Sequence, residues 1–293
     1  MERLNPLDNY LFMKAFGEKG REPQLLAFLK SILKRTKRDD ISSVEILEDK
    51  TLSAEIIGNK TGILDVRAKT NRGDNINIEV QLKDLHNMDR RSLFYWGKQY
   101  MKDIEAGDNY KNLPDVIAVN IVNFDFIPLA DFHTSFHLRE DMSNNYILTD
   151  AIEIHFINMV RFRQLKEIDI VNNELERWLA YLNTNTSPDL IEEVIKMDAA
   201  IRQTNECYKF ILQDKDTLHR YHLNQIAQMD LNNVVSDRDA YRAALTDRDA
   251  ALADRDAALA DHKATIADRD AALADRDAAL AEAARRIAEL EAQ

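Results

Sequence analysis

The chain has 293 residues, of which 45% are hydrophobic, and a formal net charge of -12. The apolar content suffices for one large or two small packed domains, and the acidic balance argues against a uniformly basic nucleic-acid-binding protein. No apolar run approaches a membrane span of about eighteen residues, and the start, MERLNPLDNYLF, lacks the basic-then-apolar order of a signal peptide. Because Cys207 is the only cysteine, we expect a soluble protein of the reducing cytoplasm without internal disulfides.

The first 160 residues mix helical and strand patterns. Apolar spacing predicts helices at about 23–35 and 88–105, the second with an aromatic stripe. Strand patterns occur at 44–57, 62–69, 75–82, 116–122 and 151–157. This order predicts an α/β domain over 1–160 whose central sheet combines antiparallel hairpins with a crossover.

Two of these strands form a predicted hairpin within GILDVRAKTNRGDNINIEVQLK, residues 62–83. The loop Asn71-Arg72-Gly73 suits a three-residue turn with glycine in the left-handed position. A hairpin centred on Arg72 pairs residues whose numbers sum to 144. Asp65 would therefore lie directly opposite Glu79, with their Cβ atoms about 5 Å apart.

Two facing carboxylates repel each other, so a purely structural sheet should avoid this pair. A divalent cation removes the conflict, because Mg²⁺ prefers hard oxygen ligands. Such a metal polarises a phosphate oxygen and lowers the pKa of bound water, which Gln81 could orient. The alternative is an exposed hairpin with scattered charges, since Asp and Glu are common on surfaces.

The D-(x)13-E-x-Q pattern of Asp65, Glu79 and Gln81 resembles that of the PD-(D/E)XK nuclease fold. More closely, the chain resembles the recombination-promoting nuclease (Rpn) and transposase group of bacterial proteins. The similar segments are NPLDNYLFMKAFGEKG (5–20), ILDVRAKT (63–70), INIEVQLK (76–83) and RRSLFYWGKQYMKDIEAGDNYKNLPDVIAVNIVNF (90–124).

The resemblance implies a restriction-endonuclease-like core with a mixed central sheet and a Mg²⁺-dependent DNA endonuclease activity. It implies that Asp65 and Glu79 are the metal ligands, with the backbone carbonyl of Val80 completing the site. Gln81 stands where the usual motif has a lysine, and it brings no positive charge to the transition state. The resemblance therefore predicts a nuclease in which the source of that charge is open.

Other polar residues are weaker candidates. Lys69 and Lys83 could supply the missing charge, although solvated lysines are the more common case. Asp8 could reach the site, but capping of the helix that follows it is favoured. Basic residues on or near the helix after the hairpin are candidates for phosphate contacts or form a solvated face; they are Arg90, Arg91, Lys98 and Lys102.

Histidines give no clear metal site by sequence alone. His133, His137 and His155 are too dispersed along the chain to predict ligands. His219 and His222 are three residues apart on a predicted helix without acidic partners nearby, which is more typical of a surface.

Beyond residue 160 the pattern is helical, with a helical region at 161–236 and a repeat tail at 237–293. DRDAALA occurs at 247–253, 254–260, 268–274 and 275–281, with Leu or Ile every seven residues. The second core position of a coiled coil falls on Asp or Arg. The tail is therefore either a marginal, solvated helix or a weak oligomerisation stalk.

The leading hypothesis is a metal-dependent endonuclease that hydrolyses DNA phosphodiesters, recombination-promoting or transposase-associated. The expected partner is DNA, without a membrane, and a second copy of the chain is the further partner if the tail is an oligomerisation stalk. The alternative is a catalytically weak DNA-binding or interaction protein that keeps the nuclease fold.

Overall fold

The computed structural model describes residues 4–47, 66–102, 109–143 and 146–291. Within them, six strands form one sheet in the order β1-β2-β3-β4-β6-β5. The strands are β1 Val44–Ile46, β2 Val66–Thr70, β3 Asn75–Gln81, β4 Val116–Val122, β5 His133–Phe136 and β6 Ile152–Asn158. β3, β4 and β6 are parallel, whereas β1, β2 and β5 pair antiparallel with their neighbours. This confirms the mixed α/β sheet predicted from the sequence.

Helices occupy most of the other described residues. They are α1 Asn9–Phe16, α2 Glu22–Leu33, α3 Met88–Met101, α4 Met159–Arg163, α5 Glu174–Leu182, α6 Pro188–Met197, α7 Ala199–Gln213 and α8 Lys215–Glu291. Several start at an N-cap side chain that accepts backbone hydrogen bonds, as at Asn158, Asn173, Ser187 and Asp198. These caps satisfy amide groups that would otherwise lack partners in the first turn.

The two faces of the sheet differ in polarity. On one face, Ile76, Ile78 and Val80 of β3 join the main core with α1, α2 and α5. Aromatic rings from these helices pack together, with the Phe28 and Trp178 centroids 5.3 Å apart. Burial of such side chains stabilises the fold by about 1.5–3 kcal/mol each. The other face carries a smaller apolar cluster that includes Ala118, Val122 and Phe156, so polar residues of β3 lie beside it.

Some predicted bounds differ from the structure. The strand expected at 151–157 is Ile152–Asn158, and the edge strand β5 was not predicted. Its sequence, HTSF, has too few apolar residues to give a strand pattern. The strand expected at 44–57 is described only to residue 47, and that at 62–69 only from residue 66.

The chain divides into two compact units, Met1–Asp230 and Leu231–Gln293. The second unit is helical through Glu291. The division of the chain into three parts at residues 160 and 236 stays a prediction. No helix among the described residues is long and apolar enough to cross a membrane.

Candidate active site

The β2–β3 hairpin has the predicted turn. Gly73 adopts a φ of 95°, the left-handed conformation that favours glycine. The amide of Gly73 donates to Thr70 O at 3.0 Å, and the amide of Thr70 donates to Asp74 O at 2.9 Å. The glycine therefore sets the chain reversal from which the pairing of the two strands follows.

The strand register is the predicted one. Val66 pairs with Ile78 and Arg67 with Asn77, so paired residue numbers sum to 144. Asp65 lies outside the described residues. Its position opposite Glu79, one step further along this register, stays a prediction.

The polar face of β3 is buried rather than solvated. Asn75, Asn77 and Glu79 alternate along the strand, and Glu79 is only 2% exposed. Helix α3 packs against β3 and β4 on this face. Nε1 of Trp96, a residue of α3, donates to Val116 O at 3.1 Å. The exposed hairpin considered as the alternative is therefore wrong for Glu79.

Arg91 of α3 is the ion-pair partner of Glu79. Its Nε lies 2.7 Å and its terminal Nη2 2.5 Å from Oε1 of Glu79. The guanidinium carbon also sits 5.2 Å from the centre of the Tyr95 ring, one helical turn further on. The helix and the strand thus fix the two charges against each other in a site from which water is largely excluded.

The second carboxylate oxygen of Glu79, Oε2, has no hydrogen-bond partner among the residues that the structure describes. This oxygen is buried, and three other buried atoms also lack a hydrogen bond within the described ranges: Oδ1 of Asn77, Nδ2 of Asn75 and Nε2 of Gln99 on α3. Each such atom costs about 1–3 kcal/mol when it is left unsatisfied. Unpaired polar atoms gathered on one strand and the helix above it are typical of a site built for a polar ligand or an ion.

Burial raises the pKa of Glu79, and the charge and hydrogen bond of Arg91 offset part of that rise. Desolvation disfavours the charged carboxylate, whereas an adjacent cation favours it. The site therefore holds a carboxylate whose ionised form depends on a positive partner.

The oxygen atoms of this site are suitable ligands for a hard divalent cation. A buried carboxylate oxygen and an amide oxygen without partners, Glu79 Oε2 and Asn77 Oδ1, are ligands of the type that Mg²⁺ takes. No three His, Cys, Asp or Glu side chains of the described ranges are arranged to hold a metal. Asp65, the predicted second ligand, is not in those ranges.

Val80 and Gln81 follow Glu79 on the strand. The side chain of Val80 is buried in the main core, on the opposite face, so only its backbone could serve the site. Gln81 is partly buried, and its Nε2 donates to Lys83 O at 3.0 Å. In this arrangement the amide of Gln81 is directed along its own strand, and Lys69 is exposed.

Asp8 is the N-cap of α1. Its Oδ1 accepts from the amides of Tyr10 and Leu11 at 3.1 and 3.2 Å. Its Oδ2 accepts from Asn224 Nδ2 at 3.0 Å and from Gln225 Nε2 at 2.7 Å. Both oxygens are therefore engaged in holding α1 and the start of α8, and capping is the role that the structure shows.

Three histidines that are dispersed in sequence lie close together on the face of the sheet opposite to Glu79. His133 Nε2 lies 2.9 Å from His155 Nδ1, and His155 Nε2 lies 2.6 Å from Glu153 Oε1. His137 Nε2 lies 3.6 Å from Glu153 Oε2. The network is not apparent from the sequence, because it depends on the pairing of β5 with β6.

Arg38 and Thr36 complete the network around Glu153, which is fully buried. Thr36 donates to Glu153 Oε1 at 2.6 Å, and Arg38 Nη1 lies 3.4 Å from Oε2. Arg38 Nη2 also pairs with Asp74 and Asp115, at 2.9 and 2.8 Å. The guanidinium thus joins the starts of the parallel strands β3, β4 and β6, which indicates a structural role.

The other basic candidates on or after α3 differ from Arg91. Arg90, Lys98 and Lys102 are exposed, whereas the Arg91 side chain is 16% exposed. His219 and His222 are exposed on α8. Of the basic candidates, Arg91 is the one that contacts Glu79.

Comparison with known protein families identifies a family for this chain. A family model described as PD-(D/E)XK nuclease family transposase matches residues 6–238. No significant match is found among curated proteins or among solved structures. The matched range includes both strands of the hairpin, α3 and the buried histidine network.

Proposed function

The chain belongs to the PD-(D/E)XK nuclease family transposases, and on this premise we propose that it is a divalent-metal-dependent DNA endonuclease. It would hydrolyse phosphodiester bonds in a recombination-promoting or transposase-associated setting. The observation that carries the proposal is the buried Glu79, on a strand face covered by α3, whose Oε2 has no partner among the described residues. A purely structural sheet would leave this carboxylate exposed or fully paired.

Asp65 and Glu79 would hold the cation, together with the carbonyl of Val80. When bound, Mg²⁺ or a similar ion supplies charge stabilisation at the phosphate and an acidified water. Gln81 would orient the attacking water once its amide leaves the carbonyl of Lys83. The exposed Arg90, Lys98 and Lys102 would bind phosphates of the DNA backbone.

A second candidate function is DNA binding with weak or no cleavage. It is favoured by two contacts, the pairing of Arg91 with Glu79 and the turning of Gln81 towards Lys83. This candidate predicts DNA binding that survives loss of either carboxylate, with no cleavage on addition of metal.

The tail would bring copies of the chain together. Its apolar stripe is exposed on the helix, from Leu252 at 47% to Leu280 at 58%. Because the stripe repeats every seven residues, another helix with the same period is its natural partner. A second copy of this chain provides that period by identity of sequence.

The test is cleavage of supercoiled plasmid with Mg²⁺ by the full chain and by Asp65→Asn and Glu79→Gln variants. We expect each variant to lose at least about 100-fold in rate, because a metal ligand is removed. Glu45→Gln is the matched control, since Glu45 is exposed on β1 of the same sheet, and it should cleave normally. Undiminished cleavage by the Asp65 and Glu79 variants would exclude the proposed site.

A further inference from the structure

We infer that Arg91 is a resident counter-cation of the metal-free site, which a divalent ion has to displace from Glu79. The inference rests on the proposed metal site and adds a regulatory contact to it. Arg91 is then a positioning residue that sets the metal concentration at which the site fills.

The geometry of the ion pair suggests this role. An arginine that only anchors a carboxylate commonly binds both oxygens with two parallel hydrogen bonds. Here Nε and Nη2 of Arg91 both contact Oε1 of Glu79, at 2.7 and 2.5 Å. Oε2 is buried and has no partner in the part of the chain that the structure describes, so this oxygen of the carboxylate is left for another ligand.

The surroundings of the pair favour exchange of one cation for another. Glu79 is almost fully buried, and a buried carboxylate without a positive partner is strongly destabilised. Arg91 supplies that charge in the metal-free protein, and a divalent cation would supply it in the metal-bound one. Both cations compete for the same carboxylate, so removal of one strengthens binding of the other.

The side chain of Arg91 has space to move when a metal ion displaces it from Glu79. Its guanidinium lies over the Tyr95 ring of the same helix, and its side chain is 16% exposed, so a change of rotamer can carry the charge outwards without moving α3. It then stays beside the site and faces an incoming phosphate. This would provide the positive charge that Gln81 lacks at the motif's lysine position.

The experiment is calorimetric titration of Mn²⁺ into the full-length chain and four variants, with the melting temperature measured with and without Mn²⁺. Arg91→Gln should bind Mn²⁺ at least about tenfold more tightly than the unaltered chain, because the competing charge is gone, and its melting temperature should rise more on addition of Mn²⁺. Arg91→Lys, which keeps the charge with fewer donors, should fall between the two. Arg90→Gln, the exposed neighbour on α3, should match the unaltered chain, and Glu79→Gln should bind no Mn²⁺.

The outcomes separate the inference from the proposed function. Loss of Mn²⁺ binding in Glu79→Gln together with unchanged affinity in both Arg91 variants would overturn the inference and leave the metal site standing. Mn²⁺ binding that Glu79→Gln does not reduce would overturn both. The Arg91→Gln change leaves the buried carboxylate of Glu79 without a positive partner, so the variant protein could unfold in the absence of metal. In that case the affinity of Arg91→Lys decides the question.

Discussion

Oxygen Oε2 of Glu79 and Oδ2 of Asp8 show how two buried carboxylates in one fold differ in use. Asp8 receives hydrogen bonds on both oxygens, from Tyr10, Leu11, Asn224 and Gln225. Within the described residues Glu79 receives a hydrogen bond on Oε1 alone, from Arg91. Because both oxygens of Asp8 accept hydrogen bonds, this carboxylate has a structural role. Oε2 of Glu79 lacks a partner among the described residues, which indicates a ligand-binding site.

Replacement of Asp8 tests this distinction. Asp8→Ala should lower the free energy of unfolding by about 1–3 kcal/mol, because it removes the cap of α1 and the acceptor for the partly buried side-chain amides of Asn224 and Gln225. Asp8→Asn should lose less, since an amide oxygen can still cap. Urea unfolding measures both, with Ser187→Ala as a control that removes the exposed cap of α6. A stable Asp8→Ala protein that no longer cleaves DNA would show instead that Asp8 acts in the site.

The hairpin register of β2 and β3 could be predicted from the sequence, because it depends only on residues close together in the chain. Alternation in β3 and the glycine of the turn are enough to predict the register, because a three-residue loop allows one pairing. The contact of Arg91 with Glu79 could not be predicted, because it depends on how α3 lies across β3. Four basic residues lie on or near α3, and the rotation of the helix about its axis determines which of them faces the strand.

Strands β5 and β6 carry the largest departure from the sequence-based expectation. They place His133 beside His155, and His155 beside Glu153, with Arg38 close by. Burial, with the nearby charges of His155 and Arg35, lowers the pKa of His133 to about 3. Burial alone would raise the pKa of Glu153, but hydrogen bonds from His155 and Thr36 and the charge of Arg38 outweigh it and lower that pKa to about 2.

This network makes stability depend on pH. In the unfolded chain His133 takes up a proton near pH 6.5, whereas in the fold it does so only near pH 3. The unfolded chain therefore binds more protons between these values, and stability falls as the pH drops through them, by up to about 1.4 kcal/mol per pH unit. Glu153 adds a further loss between about pH 4.5 and 2, because its folded pKa is depressed.

Thermal melting between pH 7 and pH 5 tests the histidine contribution. The melting temperature of the unaltered chain should fall over this range, and His133→Gln should show a shallower fall. His219→Gln is the control, because His219 is exposed on α8, and it should follow the unaltered chain. Equal slopes for all three proteins would show that His133 is not held neutral by the fold.

For the molecule as a whole, the order of elements was the part that the sequence predicted well. The strands VIAVNIV and INIEVQLK have strong patterns, and the helix between them requires a crossover that makes β3 and β4 parallel. The edge strand β5 could not be found because pairing with β6, not its own composition, makes it a strand. The repeat tail is helical as predicted, since its Ala, Leu and Arg residues favour helix.

The exposed stripe of the tail leads to a prediction about mass in solution. A full-length chain with Leu259, Ile266 and Leu273 replaced by Asp should have the mass of a monomer by light scattering, whereas the unaltered chain should self-associate. Replacement of Ala257, Ala264 and Ala271 by Asp, off the stripe, adds the same charge as a control. An unaltered chain that is itself a monomer at all concentrations would make the tail a solvated helix only.

If Asp65 and Glu79 hold one divalent cation, as we propose, a redox-active metal bound there should cut the polypeptide beside both residues. Fe²⁺ bound in place of Mg²⁺, with ascorbate and hydrogen peroxide, generates radicals that cleave the backbone beside the metal, and mass spectrometry locates the cuts. We predict cuts next to residues 65 and 79–81 that excess Mg²⁺ suppresses and that Glu79→Gln abolishes. Cuts elsewhere alone, or cuts at these positions that persist in Glu79→Gln, would contradict the claim.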